Sequence, residues 1–323
     1  MVSSGRVLCC ALLGVLASAT ATAQSFPSRP VRIIVPWTPG GATDILSRTL
    51  AQKLTEDWKQ QVLVDNRPGG NGIIGTELAA KGAPDGHTLL MGATGPNSVL
   101  PSLMSRLPYD ALKDFEPISL VATTTYVLSV HPSMPVKSVQ EFVALGKSRP
   151  GQFTFASPGA GTPNHLSGEM FKSMTGIDMR HIPYKGSAPA MTDVMAGQVT
   201  LTFENIAPVL PYLKAGKLKA LGITAARRSP LLLDVPTIAE SGFPGFEAVG
   251  WFGLLSAAGT PKDVVSKVNA AVARALHMPD VQERLTALGV EIYGGTVQAF
   301  DAFQKAQLAK WAQVIREAHL ELE

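Results

Sequence analysis

Short apolar runs alternate with stretches of helical period along most of this chain, and the alternation sets the fold class. Val31–Val35 is a nearly continuous apolar run, followed by Leu46, Leu50, Leu54 and Trp58 at four-residue spacing. Residues 62–64, a glycine-rich turn into residues 73–80, and residues 88–91 continue the cycle. Apolar runs without polar alternation predict strands buried on both faces, and the four-residue spacing predicts one apolar helix stripe. Strand–helix–strand order of this kind implies an α/β lobe with a parallel sheet covered on both sides.

A second cycle begins near Tyr126. Strands are expected over 126–130, 153–156, 180–184, 199–203 and 218–224. Ser138 and Glu141 form a capping box for a helix over 139–145. Leu166, Met170 and Met174 form the stripe of a helix that ends at Gly176, and Gly197 and Gly216 stop two more. Residues 227–245 are rich in Pro and Gly and read as a connector, after which 246–256 is extended and apolar. Two amphipathic helices finish the chain. The first starts at Thr260-Pro261, as N-cap and first helical residue, and buries Val264, Val265, Val268 and Val272. The last buries Phe300, Phe303, Trp311 and Ile315.

The order is therefore lobe one (24–125 and 247–323) around lobe two (126–246), joined by a two-strand hinge that suits closure on a ligand. A length of 323 residues favours two lobes over a single core.

Hydrophobic residues at 46% and charged residues at 16% suit a well-buried globular protein. The formal charge of +3 is spread without a basic cluster, which argues against nucleic-acid binding. Residues 1–23 read as a cleaved export signal: Arg6, a short apolar run over 7–16, and Ala21-Thr22-Ala23 as the cleavage pattern. That run is too short to span a bilayer. Cleavage would remove Cys9 and Cys10, the only cysteines, leaving no disulfide or thiolate in a periplasmic protein.

Three enzyme-like features fail on inspection. Gly70-Asn71-Gly72-Ile73-Ile74-Gly75 fits the dinucleotide fingerprint, but the next strand ends in Met91-Gly92-Ala93-Thr94 without the acid that would hold a ribose. Gly146-Lys147-Ser148 follows a helix and lacks the earlier glycine of a phosphate loop. The six histidines show no metal-ligand spacing, and no Gly-x-Ser-x-Gly elbow occurs. No metal and no cofactor are expected.

Two loops suit binding better. Residues 36–44 (Pro-Trp-Thr-Pro-Gly-Gly-Ala-Thr-Asp) and 157–163 (Ser-Pro-Gly-Ala-Gly-Thr-Pro) each join a strand end to a helix start. Small residues leave backbone N–H groups open there, and the helix N-terminus carries partial positive charge. Ligands of open α/β sheets bind beyond the strands' C-terminal ends. The plainer alternative makes Thr43, Asp44 and Ser157 helix caps. Trp37, between two prolines, reads as an aromatic wall.

Ordered motifs then identify a family. These are Pro36-Trp37-x-x-Gly40-Gly41-x-x-Asp44, Asn66-Arg67-Pro68-Gly69, Pro84-Asp85-Gly86, Leu107-Pro108-Tyr109-Asp110 and Asp114-Phe115-x-Pro117. They continue with Pro183-Tyr184-Lys185-Gly186, Gly216-Lys217-Leu218-x-Ala220-Leu221, Asp234-Val235-Pro236-Thr237, Trp251-x-Gly253 and Gly259-Thr260-Pro261. Together they resemble the Bug family, the extracytoplasmic solute receptors of tripartite tricarboxylate transporters. The resemblance implies a two-lobe periplasmic-binding-protein fold (type II-like) with the ligand in the interdomain cleft. It implies a monomeric receptor, not an enzyme, for a small organic carboxylate, with a membrane permease as partner. It implies that Trp37, Thr38, Gly40, Gly41, Thr43 and Asp44 face Ser157, Gly159, Ala160, Gly161, Thr162 and His165 across the ligand, largely through backbone groups and bridging water. Thr94 and Asn97, and the segment Tyr184, Lys185 and Gly186, are expected as further walls. Where the family usually has Asp, this chain has Glu204, with Asn205 beside it. In family members that bind amino acids that acid is expected to receive the ammonium group; Glu204 keeps the charge but reaches one methylene further, and the alternative makes it a cap for the next helix. Two rival readings are a secreted hydrolase using Ser157 with His165 as base, and a ligand sensor that signals to a membrane partner.

Overall fold

Val31, Ile33, Ile34 and Val35 are completely buried, so the first apolar run forms a strand that is covered on both faces. The computed structural model describes residues 26–184, 186–317 and 320. The expected export signal, both cysteines and Lys185 lie outside the described residues. In chain order the elements of the first half are β1 (Val31–Val35), α1 (Ala42–Trp58), β2 (Val62–Asn66), α2 (Ile73–Ala80), β3 (Thr88–Ala93), α3 (Leu100–Leu103) and β4 (Phe115–Val130). Then follow α4 (Val139–Ser148), β5 (Phe153–Ser157), α5 (Pro163–Thr175), β6 (Met179–Pro183), α6 (Ser187–Met195), β7 (Leu201–Asn205), α7 (Ile206–Lys214) and β8 (Lys219–Ile223). The chain ends with β9 (Val249–Ala257), α8 (Lys262–Leu276), α9 (Pro279–Thr286), β10 (Val290–Ile292) and α10 (Val297–Glu317).

β1 pairs in parallel with β2 and β3, and β5 pairs in parallel with β6 and β7. The sheet as a whole is mixed, which corrects the all-parallel expectation. β9 runs antiparallel between β3 and β4, because it brings the chain back from the second half against the outgoing strand. β4 is the spine of both halves. Up to Thr125 it pairs with β9, and from Tyr126 it pairs with β7, while its far end also holds β8. It begins at Phe115, eleven residues before the expected start at Tyr126, because Glu116, Ser119 and Thr123–Thr125 obscure its apolar run.

Four further expectations change. The C-terminal region has three helices and a short strand, since α9 and β10 stand between the two expected helices. Thr260 does not cap α8: its hydroxyl donates to the carbonyl of Ala257 at 2.7 Å, and the helix starts at Lys262. Met174 is exposed, and Phe171 takes its place in the core beside Leu166 and Met170. Phe303 is only partly buried.

α10 serves both halves. Phe300 meets Trp251 edge to face at 5.7 Å, in the core of the first half. One end further on, Trp311, Val314 and Ile315 join Phe142, Phe155 and Phe171 in the core of the second. Half of the capping box at α4 is present: the amide of Glu141 donates to Ser138 Oγ at 3.1 Å, while the Glu141 carboxylate reaches past the N-cap and accepts from the amide of Lys137.

Candidate ligand-binding site

Loop one leaves the buried end of β1 and enters α1 at Gly41, where no side chain caps the helix. The first-turn N–H groups of a helix have no partner within it, and the macrodipole adds partial positive charge at the same place. Thr38, Gly40 and Gly41 are exposed, and a Cβ at either glycine would meet nothing within 4 Å. The Gly40 amide is taken by Asp44, so the open backbone donors begin at Gly41, and at this positive helix end they form a seat for a carboxylate.

Asp44 holds that loop in shape. Its Oδ2 accepts from the amide of Gly40 at 3.0 Å and from Arg48 Nε at 2.9 Å, and its Oδ1 accepts from Asn66 Nδ2 at 3.0 Å. Asn66 Nδ2 also donates to the carbonyl of Trp37 at 3.0 Å. Burial alone would raise the Asp44 pKa, but the bonds from Arg48, Gly40 and Asn66 outweigh it and hold the carboxyl below its usual range. Neither Thr43 nor Asp44 acts as the helix cap. Trp37 leans on the backbone of Gly72 and Gly95, where added Cβ atoms would stand 3.4 Å and 4.0 Å from its ring.

The glycine string after β2 has a packing cause. A Cβ at Gly75 would come within 2.8 Å of both Pro36 Cα and the carbonyl oxygen of Arg67. Only glycine lets α2 approach the root of loop one this closely.

Thr94 and Asn97 are both buried. Thr94 Oγ1 accepts from the amide of Trp251 at 2.6 Å, which ties the end of β3 to β9. Asn97 Oδ1 accepts from the amide of Ala93 at 3.1 Å, while its Nδ2 is buried without a partner among the described residues.

Loop two follows β5. Thr162 is the N-cap of α5, its hydroxyl accepting from the amide of His165 and donating to the carbonyl of Gly159 at 2.7 Å. Pro163 takes the first helical position. Ser157, buried at the strand end, is no cap: its Oγ lies 2.6 Å from His181 Nε2 and donates at 2.9 Å to the carbonyl of Gly159. The serine neighbour is thus His181 and not His165, against the hydrolase pairing. His165 instead turns Nδ1 to the loop and accepts from the amide of Gly161 at 3.1 Å. The two imidazoles stack with centroids 3.8 Å apart and planes 21° from parallel, and Phe155 stacks beyond His181 at 4.9 Å. Burial, and then the neighbouring His165, push the His181 pKa down to about 3. Glu169 Oε1 stands 3.6 Å from His165 Nε2, and Lys172 holds the other oxygen at 2.8 Å. A cavity of about 520 Å³ opens beside the stack, lined by Ala160, Gly161, His165, Glu169, Lys172 and His181 among others.

Tyr184 and Gly186 brace loop two from behind. Their amides donate to the carbonyls of Ser157 at 3.0 Å and Pro158 at 2.9 Å. The Tyr184 hydroxyl donates to Asp193 at 2.5 Å, and its pKa is pushed up to about 12 by burial and by that carboxylate.

Glu204 is completely buried near the end of β7. Its Oε1 accepts from the amide of Asn205 at 2.8 Å, from Asn205 Nδ2 at 3.1 Å and from Asn164 Nδ2 at 3.3 Å. Its Oε2 has no partner among the described residues. Burial raises the Glu204 pKa above the usual carboxylate range against the pull of Asn205, Ser187 and Asn164. Asn205 Oδ1 accepts from Thr124 Oγ1 at 3.2 Å, linking this corner to the β4 spine.

The expected residues thus form two compact sets. One surrounds loop one and the end of β3, and the other surrounds loop two and the end of β7. Asn66, Arg48, His181 and Asn164 belong to these sets and were not among the expected site residues. Among the described residues no group of three or more metal-ligating side chains is placed to hold an ion.

The family model described as "Tripartite tricarboxylate transporter family receptor" matches residues 46–320. The fold superposes on Rpa4515 of R. palustris with adipate, with a TM-score of 0.82 at 36% identity, covering 92% of this chain and 99% of that one. The periplasmic binding protein BugD gives a TM-score of 0.78 at 35% identity over 92% of this chain and 100% of its own. MatC from Rhodopseudomonas palustris with bound malate gives 0.77 at 32% identity, covering 90% and 100%.

Proposed function

This chain belongs to the tripartite tricarboxylate transporter receptor family, whose members are periplasmic solute-binding receptors and not enzymes, and from that premise we propose that it captures a small organic carboxylate between its two lobes and presents it to a membrane permease. The observation that carries this reading is loop one: an uncapped helix start with exposed Thr38, Gly40 and Gly41 and open space over both glycines. Loop two answers it with a second helix start behind small residues. Relatives of this architecture were solved with adipate and with malate, which supports a diacid as ligand.

In this reading the lobes are residues 24–125 with 247–323, and residues 126–246. The change of β4 partner between Thr125 and Tyr126 supports the first boundary. The receptor acts as a monomer and reaches the periplasm through a cleaved segment, residues 1–23. Closure would bring both helix ends to the ligand and exclude water, which strengthens each charge-assisted bond. Glu204, whose protonated form is favoured by burial, would donate to the far carboxylate of a diacid, and Asn205 would support it.

Native mass spectrometry of the exported protein, followed by calorimetry with adipate, malate and acidic amino acids, tests the reading. Binding of unchanged acid near micromolar affinity, about −8 kcal/mol, supports it, and Gly161→Val should abolish that binding because Gly161 sits at φ +74°. Unaltered affinity in Gly161→Val would remove loop two from the site.

A further inference from the structure

We propose that the His165–His181 stack is the positioning element of loop two, and that it sets ligand affinity without touching the ligand. The inference rests on the reading of 157–162 as a ligand loop.

Both rings turn a nitrogen to the loop and not to the core. His165 Nδ1 accepts the amide of Gly161, which fixes the neutral ring's proton on Nε2, toward Glu169. His181 Nε2 meets Ser157 Oγ, and that oxygen in turn accepts from the amide of Gly159 at 3.2 Å. Ser157 and Gly159 have other restraints, since Gly159 also receives the Thr162 hydroxyl. Gly161 is held differently: the imidazole of His165 is the partner of its amide.

A planar trans peptide points its N–H and C=O in opposite directions. Anchoring the Gly161 N–H on His165 therefore aims the Ala160 carbonyl away from α5. At φ +74° glycine has an accessible alternative backbone, so without the imidazole acceptor the 160–161 peptide is free to turn. His181 keeps the ring of His165 in place from one side, and Phe155 backs the stack. Glu169, tied to Lys172, stands at its Nε2 edge. The stack translates packing on β5 and β6 into the orientation of one peptide in the ligand loop.

Two substitutions separate positioning from bulk. His165→Phe keeps a stacked ring and removes the acceptor. His165→Asn gives up the ring and restores an acceptor oxygen near the Nδ1 position. Calorimetry with adipate and malate, and amide hydrogen exchange at Gly161 in the unliganded protein, are measured on both. We expect His165→Phe to weaken binding by about tenfold or more and to speed Gly161 exchange by a similar factor, with His165→Asn recovering most of both. A His165→Phe protein within about twofold of the parent in both measurements would overturn the proposal, as would two variants that fail alike. Should the parent bind neither acid, the diacid reading fails, while the exchange measurement still decides the role of the histidine.

Discussion

Asn66 Nδ2 stands 3.0 Å from Asp44 Oδ1 and 3.0 Å from the carbonyl oxygen of Trp37, bridging the first turn of α1 to the loop that precedes it. Asn66 is the last residue of β2, so the position of loop one is set by a neighbouring strand and not by α1 alone. Asp44, with Gly40 and Arg48 on its second oxygen, is the hub of that arrangement.

Asn66→Ala removes both bonds, together with the one its Oδ1 accepts from Arg48 at 3.1 Å, and leaves Asp44 Oδ1 and the Trp37 carbonyl short of a donor. A buried acceptor that loses its partner costs about 1–3 kcal/mol. Urea denaturation should show a loss in that range, and calorimetry should show weaker carboxylate binding. Unchanged affinity alongside lowered stability would mean that loop one keeps its shape without the bridge.

The acid limb of stability tests the hub itself. Asp44 has its folded pKa lowered, so the stabilisation is present above the unfolded value of about 3.9 and is lost as pH falls through the folded value. Asp44→Asn should therefore be less stable than the parent at pH 7, and the gap should narrow as the pH is taken below about 4. Denaturant midpoints for both proteins across that range check the sign. A gap that widens in acid would contradict the assigned direction.

Glu204 has the opposite linkage. Its folded pKa is raised, so the native state binds the proton more tightly than the unfolded chain does. Stability from this group is complete below the unfolded value of about 4.3 and falls as pH rises toward the folded value. Glu204→Gln keeps the shape and cannot ionise. Its denaturant midpoint should decline less than the parent's between pH 5 and pH 8, measured without ligand. Parallel profiles would show that the buried carboxyl is not charged at a cost.

The alternation of strands and helices, and the place of both loops between a strand end and a helix start, were legible because they depend on local features: apolar runs, small residues at strand ends and glycine stops. β4 was half hidden, since Glu116, Ser119 and Thr123–Thr125 interrupt its apolar run inside a strand that crosses from one set of partners to the other. Mixed strand direction was not legible either, because a strand buried on both faces reads the same whichever way it runs. His181 escaped for another reason. It lies on a neighbouring strand, and only the parallel register that sets Phe155 opposite His181 brings it under His165 and Ser157. Asn66 appeared in the sequence as part of a motif, but its role depends on pairing with Val35 across β1 and β2.

Gly75 shows how far from the ligand the shape of loop one is decided. An added Cβ would press to 2.8 Å on Pro36 Cα and on the Arg67 carbonyl oxygen, and to 2.9 Å on Pro36 Cβ. Two of these contacts are backbone atoms, so no rotamer change relieves them. α2 and the root of loop one must move apart. Overpacking of this kind costs about 1–3 kcal/mol. Gly75→Ala should lower the thermal midpoint and weaken carboxylate binding together, because Pro36 leads directly to Trp37 and the exposed glycines. Gly176→Ala is the control: it lies at a helix end with nothing within 4 Å of an added Cβ, so its cost is conformational only. It should lower stability without a matching loss of affinity. If the two variants lose affinity in the same proportion to stability, then Gly75 acts on the fold in general and not on loop one.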